Sequence, residues 1–278
     1  MTPSVFRKAG AAGFRKVALG TWKTAGDPSV YGLVEFDATP CLELIRSTKA
    51  EYERPLSLTS IVGAAVARVL ARRPEINAIL YRGSIRRRET VDLFFQLNVP
   101  GAGPDPVAGA ELKGVTVRRA DTKDLRRVHE ELTGKVRDSK AGKENELDAS
   151  MKVLALLPTW LMALVLRAAA WLNYDIGLPL TWLGMPRDAF GSVMITNVGT
   201  LGVSVAWAPL VPFSRVPLLL TVGALEDRAW VVDGRVEVRP IVRMGITFDH
   251  RLMDGAHAAE MQKLFLDYMR NPSVLLGQ

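Results

Sequence analysis

Ile241-Val242-Arg243-Met244-Gly245-Ile246-Thr247-Phe248-Asp249-His250-Arg251-Leu252-Met253-Asp254-Gly255 is the stretch whose reading decides the fold. From Ile241 to Phe248 it is apolar and β-rich, and reads as a strand. Asp254 stands where a following helix needs its N-cap, with Gly255 just inside. That helix runs to about Arg270, and Met261, Leu264, Phe265, Tyr268 and Met269 form its apolar face. His250 therefore sits at a strand–turn–helix junction, held by rigid elements on both sides as general-base work requires. An unperturbed imidazole titrates near pH ~6.5, suited to proton abstraction close to neutrality. The same local pattern also fits a structural histidine beside a capped helix, so these residues alone leave both readings open.

Working outward, the second half of the chain is strand-rich. Ser192–Thr196, Val216–Val222, Ala229–Val232 and Val236–Arg239 all read as strands, and Asp233-Gly234 is a two-residue hairpin signal. In the first half, Ser29–Asp37 alternates as a strand and a helix follows from about Pro40. Leu58–Arg73 reads as a buried helix that Pro74 stops. Val91–Val99 and Gly114–Val117 are β-rich runs, separated by a Gly- and Pro-rich loop at Pro100–Ala110. Asp121–Val136 is charged and helical in pattern. Helices interleave with strands and no internal repeat is present, so the expectation is one α/β or α+β domain.

Hydrophobic residues make up 48% and charged ones 23%, which excludes a disordered chain. The net charge of +7 favours an anionic partner, with nucleic acid, acidic lipid and cofactor phosphates all of the right sign. The basic residues are scattered, their densest knot being Arg86-Arg87-Arg88, which reads as a solvated edge; no nucleic-acid partner is expected. Cys41 is the only cysteine, so there is no intrachain disulfide and no thiolate zinc site. Only His129, His250 and His257 carry imidazoles, without metal-ligand spacing, and no metal is expected. Met1–Gly10 lacks the apolar segment of a secretory signal, which makes the cytoplasm the expected compartment.

Val153–Leu172 stands apart, with Arg167 as its single charge and the length of a membrane span. A crossing there would put strands on opposite sides of a bilayer, where they share no core. The alternative is a helical hairpin with Leu178–Trp182. It would pack in the core or an oligomer, wall an acyl pocket, or make membrane-surface contact through 153–182.

Asp-His-Arg-x-x-Asp-Gly at the end of a strand near the C-terminus resembles the active-site signature of the E2 acyltransferases of 2-oxoacid dehydrogenase complexes. Chloramphenicol acetyltransferases carry a looser version. Met194-Ile195-Thr196-Asn197-Val198-Gly199, Pro209–Pro212, Val222–Glu226, Leu58–Leu80 and Asn271–Leu276 also look like segments of that family. The resemblance begins at about Phe14. It divides the chain into an N-terminal arm (1–13) and a catalytic domain (14–278), with an apolar helical insertion at about 147–185.

The resemblance implies a mixed β-sheet flanked by helices, of the chloramphenicol acetyltransferase-like fold, and homotrimers with the active site between neighbouring subunits. It implies coenzyme A or acyl-CoA as substrate, His250 as general base, and Thr196 of an adjacent chain as oxyanion donor, with no acyl-enzyme. Asp254 would hold the site together with Arg15, while Asp249, Arg251, Gly255 and Asn197 support it. Dehydrogenase-complex subunits or larger assemblies of trimers are the implied partners.

Three departures qualify this. No lipoyl attachment or peripheral E2 domain is seen on this chain, Pro100–Lys113 reshapes a channel segment, and the 147–185 insertion has no family counterpart. A core-forming structural subunit with little chemistry is therefore the second reading. A membrane-surface binding module is the third.

Overall fold

The computed structural model describes residues 6–8, 16, 27–99, 111–142, 157–181 and 188–277. A six-stranded mixed sheet organises them. β2 (Ser29–Asp37) pairs antiparallel with β9 (Arg235–Asp249), which pairs antiparallel with β8 (Leu218–Val232). β8 runs parallel to β7 (Val193–Asn197) and β7 parallel to β5 (Leu93–Val99), while β6 (Glu111–Val117) closes the far edge antiparallel to β5. A small sheet joins β1 (Phe6–Lys8), β4 (Ser84–Arg88) and β3 (Ala78–Tyr81) in the order β1-β4-β3. The expected mixed sheet with flanking helices is what forms.

Helices α1 (Thr39–Ser47), α2 (Leu58–Arg72), α3 (Leu125–Lys140) and α5 (Gly255–Arg270) are packed around a common apolar core with the large sheet. α2 buries ten of its residues, and the Ser57 hydroxyl caps it by accepting from the Ser60 N–H. Phe265, Tyr268 and Met269 of α5 are buried, and Met261 and Leu264 pack partly buried against the same core.

Several boundaries differ from expectation for identifiable reasons. The charged helix begins at Leu125 because Asp124 caps it from the Arg127 N–H, and a 3-10 turn occupies Ala120–Thr122. Val216–Val222 and Ala229–Val232 are parts of one strand with a bulge between Val222 and Leu225. Val236–Arg239 and Ile241–Phe248 likewise merge through Pro240. In a strand a residue's N–H and C=O point to the same side, and the Pro240 carbonyl accepts from Ala38, away from β8. The proline thus removes no β8–β9 hydrogen bond. Asp233 and Gly234 both have positive φ (49° and 78°), the backbone a type I′ hairpin turn requires.

The arginine knot is only partly a solvated edge. Arg87 is exposed, but Arg88 is buried and forks onto Asp188 (2.7 and 3.3 Å) while donating to the Ala78 carbonyl. A buried guanidinium needs such compensation.

Among the described residues the apolar run does not continue as one α-helix. α4 spans Thr159–Ala170 with Pro158 at its N-cap, and a π-helical turn follows at Trp171–Ile176. Gly177 (φ 82°) then turns the chain. Leu178–Leu180 are not helical, so the hairpin's expected second arm does not form there; Val153–Leu156 and Trp182 lie outside the described residues. No helix among the described residues is long and apolar enough to cross a membrane. β5 and β7, from either side of the insertion, are direct neighbours in one sheet. The Pro100–Ala110 loop and the 1–13 arm, β1 excepted, also lie outside the described residues.

The loop after β7 lies directly over the sheet, where Gly223 and Gly245 allow its approach. A Cβ on Gly245 would collide with the Ala206 carbonyl and the Thr221 hydroxyl. Gly245→Ala is therefore expected to cost about 1–3 kcal/mol, read as a lower urea midpoint at unchanged slope. Unaltered stability would show that this loop is not seated as described.

Candidate active site

β9 ends at Asp249, and its carbonyl accepts from the Leu252 and Met253 N–H groups, which curls the chain into a tight turn. The Asp249 carboxylate fixes that turn from the side. It takes the Arg251 backbone N–H (2.9 Å) and a fork from the Arg251 guanidinium (Nη2 at 2.7 Å). His250 projects from the turn half-buried, its backbone N–H donating to the Pro28 carbonyl at 2.9 Å. Its ring Nδ1–H donates to the Met253 carbonyl at 3.0 Å. A carbonyl can only accept, so this contact places the neutral ring's proton on Nδ1 and its basic lone pair on Nε2.

Asp254 caps α5, accepting from the His257 N–H at 3.1 Å, and Gly255 is the first helical residue. The same carboxylate oxygen accepts from His257 Nδ1–H at 2.5 Å. This second imidazole was not expected from the sequence. Its signal was the three-residue spacing from the cap, which puts both side chains on the first turn of the helix. Arg15, the expected partner of Asp254, lies outside the described residues. Near His257, burial opposes the Glu75 charge, but a backbone N–H and Arg73 hold its carboxyl below the usual range.

Thr196 sits half-buried near the C-terminal end of β7, and its hydroxyl makes no side-chain hydrogen bond among the described residues. Its neighbour Asn197 is anchored, donating to the Thr59 hydroxyl at 2.8 Å and accepting from the Thr200 N–H. The register keeps Thr196 away from His250. Thr196 is level with Thr221 on β8 and, through it, with Gly245 on β9, five residues before His250. At ~3.4 Å per residue and ~4.8 Å between strands, the two backbone positions are roughly 20 Å apart within one chain.

A cleft of about 580 Å³ opens beside the histidine turn, between Pro209–Pro212 and Asp249, Arg251 and Leu252. Arg215 lines it and is held by Asp175 of the π-helical turn at 2.8 Å, so that turn buttresses one wall. The remaining candidate groups are inert. Cys41 is buried, and burial with nearby Asp37 pushes its thiol up to about 12. His129 lies in the core, bonded to the Ser60 hydroxyl and the Arg54 carbonyl. No cluster of potential metal ligands occurs among the described residues.

Residues 188–277, which hold both Thr196 and the histidine turn, match the family described as 2-oxoacid dehydrogenases acyltransferase (catalytic domain). The dihydrolipoyllysine-residue succinyltransferase component of the mitochondrial 2-oxoglutarate dehydrogenase complex of Bos taurus is 31% identical over 138 residues. That match covers 45% of this chain and 30% of the relative, so the chain spans under a third of that protein's length. Across the whole fold, a probable dihydrolipoamide acetyltransferase from Listeria monocytogenes superimposes with a TM-score of 0.64 at 17% identity, covering 95% of this chain and 94% of that one. A chloramphenicol acetyltransferase gives 0.54 at 13% identity, covering 95% and 99%. Residues 188–277 thus resemble the catalytic domain of the 2-oxoacid dehydrogenase acyltransferases, and the chain has the chloramphenicol acetyltransferase-like fold.

Proposed function

We propose that this chain is a coenzyme A-dependent acyltransferase that moves an acyl group from a thioester to a thiol without an acyl-enzyme. The observation that carries the reading is the Nδ1–H bond to the Met253 carbonyl, which orients the imidazole and leaves basicity on Nε2. Nε2 takes the proton of the acceptor thiol as its sulfur attacks the thioester carbonyl. The carbonyl π pair moves onto oxygen, and the oxyanion accepts a hydrogen bond from the Thr196 hydroxyl. On collapse the C–S bond to the first thiol breaks, and Nε2–H returns the proton to the departing thiolate.

The roughly 20 Å between His250 and Thr196 supports a site that takes its histidine from one copy and its threonine from another. A homotrimer supplies this arrangement. The outer half of the β8–β9 hairpin supports association of copies, because Val231, Val236 and Val238 share one face and are 67–74% exposed. The likeness to E2 proteins makes dehydrogenase-complex subunits the expected larger partners. Asp249 and Arg251 shape the turn, and Asp254 with Arg15 would tie it to the start of the domain.

Calorimetric titration with coenzyme A tests the reading at its base. Heat of binding is expected for the wild type and also for His250→Ala, since the imidazole is assigned to chemistry rather than to affinity. No heat with the wild type would overturn the enzyme and leave a structural subunit.

A further inference from the structure

We propose that α4, the π-helical turn after it and the adjoining arginine edge form a docking face for a lipid bilayer bearing anionic headgroups. Exposure along α4 repeats with the helical period. Residues 161–162, 165–166 and 169–170 are half-buried, while Trp160, Ala163, Leu164, Arg167, Ala168 and Trp171 turn outward. The outward face of a surface helix is ordinarily polar. Here it is apolar apart from Arg167, with Trp160 71% and Leu164 57% exposed and no residue of the helix buried. Ile176 and Leu178, on the turn that follows, are exposed as well. A tryptophan stands at each end of a stripe about 16 Å long.

Charge identifies the occupant. The small sheet packs against the turn, with Ile79 and Tyr81 buried on Tyr174, and the Arg82 N–H donates to the Tyr174 carbonyl. The Arg82 side chain lies against Gly177. Arg86 is the register partner of Ile79 and so shares the face that meets the turn. Arg82 and Arg86 make no ion pair among the described residues. A cationic edge beside a tryptophan-bearing apolar face matches a membrane interface, where indoles sit at headgroup depth and guanidinium groups meet phosphates. A second copy of the chain matches less well. The acidic residues of the patch, Asp175 and Asp188, are already held by Arg215 and Arg88. Twelve residues reach about 18 Å, well short of a ~30 Å hydrocarbon core, so α4 lies on the bilayer.

Flotation with phosphatidylcholine vesicles, with and without about a third phosphatidylglycerol, tests this. The protein is expected to float with the anionic vesicles, less so as salt rises. Replacing Arg82 and Arg86 together by Gln should weaken partitioning about 30-fold, and Trp160→Ser should weaken it while leaving the thermal midpoint unchanged. Lys263→Gln on α5 should change nothing. His250→Ala should float like the wild type, which separates this proposal from the catalytic one. Absence of flotation would overturn it, as would flotation indifferent to both variants. A Trp160→Ser effect on oligomeric mass without any on flotation would also overturn it, assigning the face to a second copy.

Discussion

His250→Ala is expected to lower kcat for acyl transfer by about 10²–10⁴-fold, with little change in KM, because a positioned base acts on the transition state. The magnitude follows from the way the ring is held. Its Nδ1–H is committed to the Met253 carbonyl, and its backbone N–H is tied to Pro28. The turn beneath it is fixed by the Asp249–Arg251 fork, so alanine removes the base without loosening its support. The measurement is initial-rate transfer from acetyl-CoA to dihydrolipoamide, with a thermal melt to show that folding is retained. A fall of less than tenfold would remove His250 from the role of base, and with it the mechanism.

Thr196→Ala is expected to lower kcat by about 10²–10³-fold, the worth of one oxyanion donor. Its sharper consequence appears on mixing. Within one chain Thr196 is level with Gly245, five residues short of the histidine, so the proposed mechanism draws its two residues from two copies. His250→Ala and Thr196→Ala proteins, each nearly inactive, are therefore expected to regain about a quarter of wild-type activity when unfolded together at equal amounts and refolded. In random assemblies one site in four draws its histidine from the threonine variant and its threonine from the histidine variant. Recovery near zero would overturn the shared site, leaving Thr196 outside it or both residues acting within one chain.

Legibility followed the range of the interactions. Ser29–Asp37, the Asp233-Gly234 turn and the last helix from Gly255 to Arg270 form where the local pattern places them. There alternation, positive-φ turn chemistry and an N-cap all act within a few residues. Strand limits at Pro240 and Val222 were hidden, because whether a proline or a bulge ends a strand depends on whether the backbone at that position faces a partner strand that needs its hydrogen bond. Arg88 was misread for a related reason. Nothing near it in sequence shows that Asp188, a hundred residues away, compensates its burial.

For the site, the residues of the histidine turn were readable from the chain by itself, since Asp249, His250, Asp254 and Gly255 occupy one continuous strand–turn–helix segment. The tertiary structure decided what those residues can do. It directed the Nδ1–H to a carbonyl, gave Asp254 the unexpected contact with His257, and set Thr196 roughly 20 Å from His250 in the same chain. It also cut the apolar run from Val153 at Pro158 and left a tryptophan-lined face pointing outward. The physical reason is common to these cases. Residue type and short-range spacing determine which chemistry is available, whereas strand register and the partners brought together across the fold determine where each group points and which groups can meet.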